Sequence, residues 1–109
     1  MEVYYEDTKF QQKVESDRER RREWGDAGAK KIATRLRDLR QTAETLEDMR
    51  HLPGHCHELT GDWSGHLSLR LDGGYRLIIR PREWAMNDSG GLNWSAVTAV
   101  VIVTIEDYH

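Results

Sequence analysis

The chain has 109 residues, 38% hydrophobic and 32% charged, with two prolines and a formal net charge of −3. That is enough chain for one domain, residues 1–109, with a very polar surface, and it excludes collagen-like, mucin-like and wholly disordered classes. The acidic total excludes a generic nucleic-acid coat, and the single cysteine, Cys56, excludes a disulfide-stapled secreted scaffold.

No run approaches the roughly 18 apolar residues of a membrane span, and the opening MEVYYEDTKF lacks the basic-then-apolar layout of a signal peptide. No membrane partner and a cytoplasmic setting are therefore expected. Val3 to Tyr5 suits a short strand. Asp7 or Thr8 then caps a helix with Phe10 and Val14 on one face, running toward Trp24 and ending at Gly25. Asp26 starts a second helix, in which Ile32, Leu36, Leu39, Ala43 and Leu46 recur at spacings of four and three as one apolar stripe. Arg18, Arg20, Arg21, Arg22, Lys30, Arg35 and Arg37 fall mostly off that stripe and read as exterior decoration. From Lys9 to Arg40 there are 11 Lys/Arg against 6 Asp/Glu, a local +5 suited to phosphate, to an acidic protein or simply to solvent.

Pro53-Gly54 stops the helical pattern, and strands follow. Leu67, Leu69 and Leu71 alternate with Ser68 and Arg70, so the leucines share one face and Arg70 takes the other. Asp72-Gly73-Gly74 reads as a hairpin turn into a strand from Tyr75 to Arg80, with Arg76 and Arg80 on one face, ended by Pro81. Residues 81–95 read as a long loop around Asn87, Asp88, Ser89, Gly90 and Gly91. Val97 to Ile105, apolar at nearly every position, reads as a central strand covered on both faces and delivers Asp107-Tyr108-His109.

The chemistry-bearing residues lie around this sheet: His57, Arg70, Arg76 and Asp107-Tyr108-His109. Histidine exchanges protons near neutral pH, tyrosine orients or donates one, and arginine holds a phosphate while offsetting developing charge. Together they form a phosphodiester-cleaving set, although strands so far apart in sequence do not by their spacing prove that the members converge. His51, His55, Cys56, His57 and His66 invite a zinc reading, but in an extended strand His55 and His57 point away from Cys56 and no paired ligand motif accompanies them. No metal and no cofactor is expected. Trp24, Trp63, Trp84 and Trp94 read as core or interface anchors, with Trp63 and Trp84, beside turns, the candidates for stacking on bases.

The segment HELTGDWSGHLSLRLDGGYRLIIRP, followed after an insertion by VTAVVIVTIEDYH, resembles the HigB-like branch of the RelE/ParE toxin superfamily, whose members carry His-x-Leu-x-Gly-Asp-x-x-Gly, a Tyr-Arg hairpin strand and a final Asp-Tyr-His. The resemblance implies an α+β fold, with an N-terminal helical hairpin packed on a mainly antiparallel sheet. It implies a type II toxin neutralised by a helix-turn-helix antitoxin, touching DNA only through that antitoxin. Active relatives enter the ribosomal A site and cut mRNA. The family's functional positions fall on His57, Arg76, Asp107, Tyr108 and His109, with Arg70 at a basic position seen in some relatives. Thr60 stands where a lysine often contacts phosphate, and the acidic total departs from the basic character of many relatives.

In such a reaction the RNA 2′-OH is the nucleophile, so the protein needs neither a Ser or Cys nucleophile nor a metal. The expected roles are Arg76 and Arg70 on phosphate, His57 and His109 in proton exchange with acid and base unassigned between them, and Asp107 and Tyr108 as orienting groups. The rival reading is a non-catalytic toxin-fold binder, either a ParE-like topoisomerase inhibitor or a degenerate toxin that only binds its antitoxin.

Overall fold

A computed structural model describes residues 1–108, so His109, a candidate proton-exchange group, lies outside the described residues. Five strands form one sheet: β1 (Glu2–Tyr5), β2 (His57–Glu58), β3 (Leu67–Arg70), β4 (Tyr75–Pro81) and β5 (Ala99–Asp107), in the order β1-β5-β4-β3-β2. The β1–β5 pair is parallel and the other three pairs are antiparallel. A parallel pair requires a crossover. It begins here with helices α1 (Thr8–Glu15) and α2 (Asp17–Arg37), which pack on one side of the sheet. The architecture is the expected α+β arrangement.

The helical hairpin departs from the sequence reading in where it breaks. Asp7 caps α1, its carboxylate accepting from the Phe10 N–H at 3.0 Å. The helix then stops at Ser16 rather than running on to Trp24. Ser16 adopts an extended backbone (φ −97°, ψ 121°) and turns its hydroxyl to accept from the Glu19 N–H, so one residue ends α1 and caps α2. Gly25 interrupts α2 as expected, with φ 74° and ψ 175°, a backbone that costs glycine little. Phe10 and Trp24 meet edge to face at 6.4 Å and hold the two helices together.

Every member of the Ile32-to-Leu46 stripe is buried, yet the helix does not reach Leu46. It widens into a π turn at Asp38–Thr42, Ala43 is extended, and a separate 3₁₀ helix, Leu46–His51, starts with a reciprocal Thr45–Asp48 capping box. The Met1 nitrogen donates to the Leu39 and Ala43 carbonyls at 2.8 and 2.6 Å, satisfying acceptors that the helix end leaves open.

Arg35 corrects the reading of the basic residues as exterior. It is 5% exposed, wedged between α2 and the sheet, where its Nε donates to the Arg70 carbonyl at 3.0 Å and its Nη1 lies 3.7 Å from Asp38. Burial pulls its pKa down, while Asp38 pushes the other way. Arg20 is also largely covered, donating to the Val14 carbonyl at 2.7 Å. Arg18, Arg21, Arg22, Lys30 and Arg37 are exposed, as expected.

Leu67, Leu69, Leu77, Ile79, Val100 and Ile102 point from the sheet into one core with Val14, Ile32, Leu36 and Leu39. Residues 81–95 are more than a loop. Met86 bridges to Leu92, Asn87 accepts from the Ser89 and Gly91 N–H groups, and Leu92 and Trp94 join the core. The Trp94 indole donates to Glu58 at 3.0 Å, with the Arg50 guanidinium 3.6 Å from its ring centroid. β5 begins two residues later than expected and is buried on both faces only over Val100–Ile102. Among the described residues no helix is long and apolar enough to cross a membrane.

Two predictions follow from the covered arginine and from a half-exposed ion pair. Arg35→Ala leaves the Arg70 carbonyl and Asp38 without their cation and should lower unfolding free energy by about 2–3 kcal/mol, the range for a hydrogen bond from a charged donor, measured by urea denaturation. Glu15 accepts from Tyr5 Oη and from Arg40, and Arg40 above all holds its carboxyl below the ordinary value of 4.5. The lowered folded-state pKa makes this contribution complete above pH 4.5 and lost as pH falls through the folded value. The gap in urea midpoint between wild type and Glu15→Gln should therefore close on acidification, and a pH-independent gap would remove the ion pair from the explanation.

Candidate functional site

The face of the sheet turned away from the helices is built in rows by strand register. His57 pairs with Ser68, Ser68 with Ile78, and Ile78 with Thr104. The neighbouring row is Arg70, Arg76 and Glu106. In the other direction lie Arg80, Val101 and Tyr4, and paired residues share a face because side chains alternate along each strand. Ser68 and Ile78 are buried between the longer side chains of this face and form its floor.

Register brings His57, Arg70 and Arg76 together as the sequence suggests. Ladder spacings put the Cα of His57 about 8 Å from that of Arg70 and about 12 Å from that of Arg76, so the long guanidinium arms and the imidazole can reach one phosphate. Arg70 and Arg76 stand directly opposite each other, an arrangement of like charges that costs a sheet roughly 0.2–1 kcal/mol. Neither belongs to the ion-paired arginines among the described residues, which are Arg20, Arg21, Arg22, Arg35, Arg40, Arg50 and Arg80. Arg76 Nη1 donates to its neighbour's Tyr75 carbonyl at 3.3 Å and lies 5.6 Å from the Tyr108 ring centroid. An oxyanion between the two arginines would convert their repulsion into two charge-assisted contacts.

The Arg70 backbone is fixed on both sides. Its N–H donates to the Gly54 carbonyl at 2.7 Å, and its carbonyl accepts from Arg35. Gly54 (φ 118°) is required here, since a Cβ would stand 2.8 Å from Arg35 Nε. The His57 Nδ1 lies 2.9 Å from the His55 carbonyl; a carbonyl only accepts, so Nδ1 carries the proton and a neutral ring presents Nε2 as a base.

The C-terminal residues divide. The Tyr108 N–H donates to the Gly74 carbonyl at 2.9 Å, fixing a half-exposed ring beside Arg76. Asp107 pairs with Tyr75, whose ring packs against the core, so it stands in a helix-side row rather than with Arg76. The acid in Arg76's row is Glu106, which the sequence reading missed. The cause is a bulge: the partner of Ile78 is Thr104 and that of Ile79 is Ile102, leaving Val103 unmatched and inverting the alternation beyond it. No local residue pattern in this run, apolar at nearly every position, marks the bulge.

Thr60 is exposed, next to the 3₁₀ turn Gly61–Trp63, and Trp63 packs edge-on to His66. Cys56 is buried, its thiol pushed up to about 12 by desolvation, with His57 on the opposite side of the strand. Among the described residues no cluster of His, Cys, Asp or Glu has the makings of a metal site.

Replacing Arg70 with Thr should raise unfolding free energy by about 0.5 kcal/mol through relief of the cross-strand repulsion, while abolishing the rise in melting temperature that millimolar phosphate or sulfate gives the wild type. Equal anion responses in the two proteins would rule out an anion at this pair.

No protein-family model matches the chain, and no curated protein does. Among solved structures, it superposes on a YoeB/ParE toxin from Agrobacterium tumefaciens with a TM-score of 0.57 and 16% sequence identity, over 100% of both chains. At that identity the likeness is one of fold, and the chain has the fold of this toxin from end to end.

Proposed function

We propose that the protein is the toxin of a type II toxin–antitoxin system and acts as a metal-independent, ribosome-dependent mRNA endonuclease. The observation that carries this reading is the directly opposed Arg70–Arg76 pair, with His57 in the adjacent row of the same open face. The toxin fold of the solved neighbour supports the general class. The His57-to-Gly65 segment and the C-terminal Asp-Tyr-His carry the finer assignment to the HigB-like branch and to RNA cleavage.

In this mechanism Arg76, supported by Arg70, holds the scissile phosphate and offsets the charge that grows on it. His57 Nε2 takes the proton from the ribose 2′-OH. The oxygen attacks the adjacent phosphorus, a 2′,3′-cyclic phosphate forms, and the bond to the 5′-oxygen breaks. That oxygen receives a proton from Tyr108 or His109. Glu106 and Asp107 orient the groups on either side of the strand. The exposed arginines and lysine of the helical hairpin, Arg18, Arg21, Arg22, Lys30 and Arg37, suit an acidic helix-turn-helix antitoxin, which they would attract more than they would tighten.

The test is cleavage of mRNA on purified ribosomes. Arg76→Ala should lose about a hundredfold or more, the scale of one transition-state charge contact, and Arg76→Lys should recover only part, since an ammonium does not form the planar fork. Urea stability should stay within about 0.5 kcal/mol of wild type, as for a surface substitution. A fully active Arg76→Ala, or wild type inert on ribosomes yet able to bind a topoisomerase, would transfer the chain to the non-catalytic reading.

A further inference from the structure

The open face does not end with Arg80. One row further along, Arg82 donates its backbone N–H to the Ala99 carbonyl at 3.0 Å, and Ala99 pairs with Glu2. Glu2, Ala99 and Arg82 therefore continue the face that carries Arg70 and Arg76. At this end a recess of about 150 Å³ opens, lined by Glu2, Arg82, Glu83, Thr98 and Ala99 among others. The Arg82 guanidinium sits 4.0 Å from the centroid of the Tyr4 ring, in cation–π contact with the aromatic.

Three properties of the recess decide what fits it. Its volume of about 150 Å³, that of a cavity that takes one benzene-sized ring, admits the six-membered-ring edge of a purine and leaves the rest of the base outside. Its lining carries two carboxylates for one guanidinium, a balance that repels phosphate and attracts donor-rich groups. Its guanidinium plane is one on which bases stack in single-stranded RNA. The Watson–Crick edge of guanine presents two adjacent N–H donors, which the paired oxygens of one carboxylate accept together. Adenine, cytosine and uracil each break that pattern with an acceptor. Six residues of β-strand geometry separate Arg76 from Arg82, about 20 Å, so a strand held at the phosphate site reaches the recess several nucleotides away.

We propose that the recess is a base-reading subsite that takes one unpaired nucleobase of the bound RNA, guanine in preference to the other three, with Arg82 on Tyr4 as its stacking platform. The proposal rests on the RNA reading above and adds to it a determinant of sequence preference.

The experiment measures fluorescence anisotropy of labelled single-stranded RNA ten-mers, all uridine or carrying one guanosine stepped through each position, with wild type, Glu2→Gln/Glu83→Gln and Arg76→Ala. Wild type should bind the best guanosine ten-mer about tenfold more tightly than the all-uridine strand, the lower part of the range for one bidentate base contact. The double Gln variant should keep uridine affinity and lose the preference, whereas Arg76→Ala should weaken both strands and keep it. A wild type without guanosine preference, or a preference untouched in the double variant, overturns the subsite while an Arg76-dependent affinity leaves the RNA reading standing. Absence of binding to any strand, or binding indifferent to both Arg76 and the glutamates, overturns the subsite together with an RNA-binding face.

Discussion

A single buried guanidinium ties the helices to the open face of the sheet. Arg35 leaves α2 among apolar neighbours, donates to the Arg70 carbonyl, and lies so close to Gly54 that no side chain fits there. The Arg70 N–H is held by the Gly54 carbonyl in turn. A cation this deeply covered is costly unless its donors are used, and that requirement keeps the end of β3 in register. Arg70 thus faces solvent opposite Arg76 because another arginine holds its backbone from behind.

The parts of this fold set by apolar periodicity were legible in the sequence. The alternating leucines of β3, the α2 stripe and the glycine hairpin before Tyr75 all fall where elementary patterning puts them. What escaped is conformation that periodicity does not encode. Ser16 has the right chemistry to cap a helix, but nothing nearby shows that it caps one by ending another. The stripe through Leu46 is equally apolar whether the chain between stays helical or widens at Asp38–Thr42. Arg35 is one cation among eleven between Lys9 and Arg40, and only the packing of α2 against the sheet singles it out.

The candidate site was legible as a set of residue types and less so as a geometry. Alternation places Arg70 and Arg76 within their own strands, but only the register of β2, β3 and β4 sets His57 on the same face. Asp107 was named and Glu106, which stands in the Arg76 row, was not, because a bulge at Val103 shifts the alternation inside a run that is apolar at nearly every position. The net charge of −3 misleads for a related reason. Much of the acid lies at β1, in the connections and around the 3₁₀ turns, while the row of Arg70 and Arg76 holds two cations against Glu106.

The place of β5 in the sheet also governs when this face comes into being. It is the strand between β1 and β4, yet it follows every other strand in the chain, and its pairing of Glu2 with Ala99 closes a loop over nearly the whole molecule. Pairings so distant in sequence are paid for in chain entropy before they return any contact energy, which makes them slow. During synthesis the β3–β4 hairpin, with both arginines, emerges and can pair well before Glu106 and Tyr108 arrive beside it. The nascent chain therefore presents the two opposed arginines before their acidic and aromatic neighbours, and the face is complete only once β5 has docked.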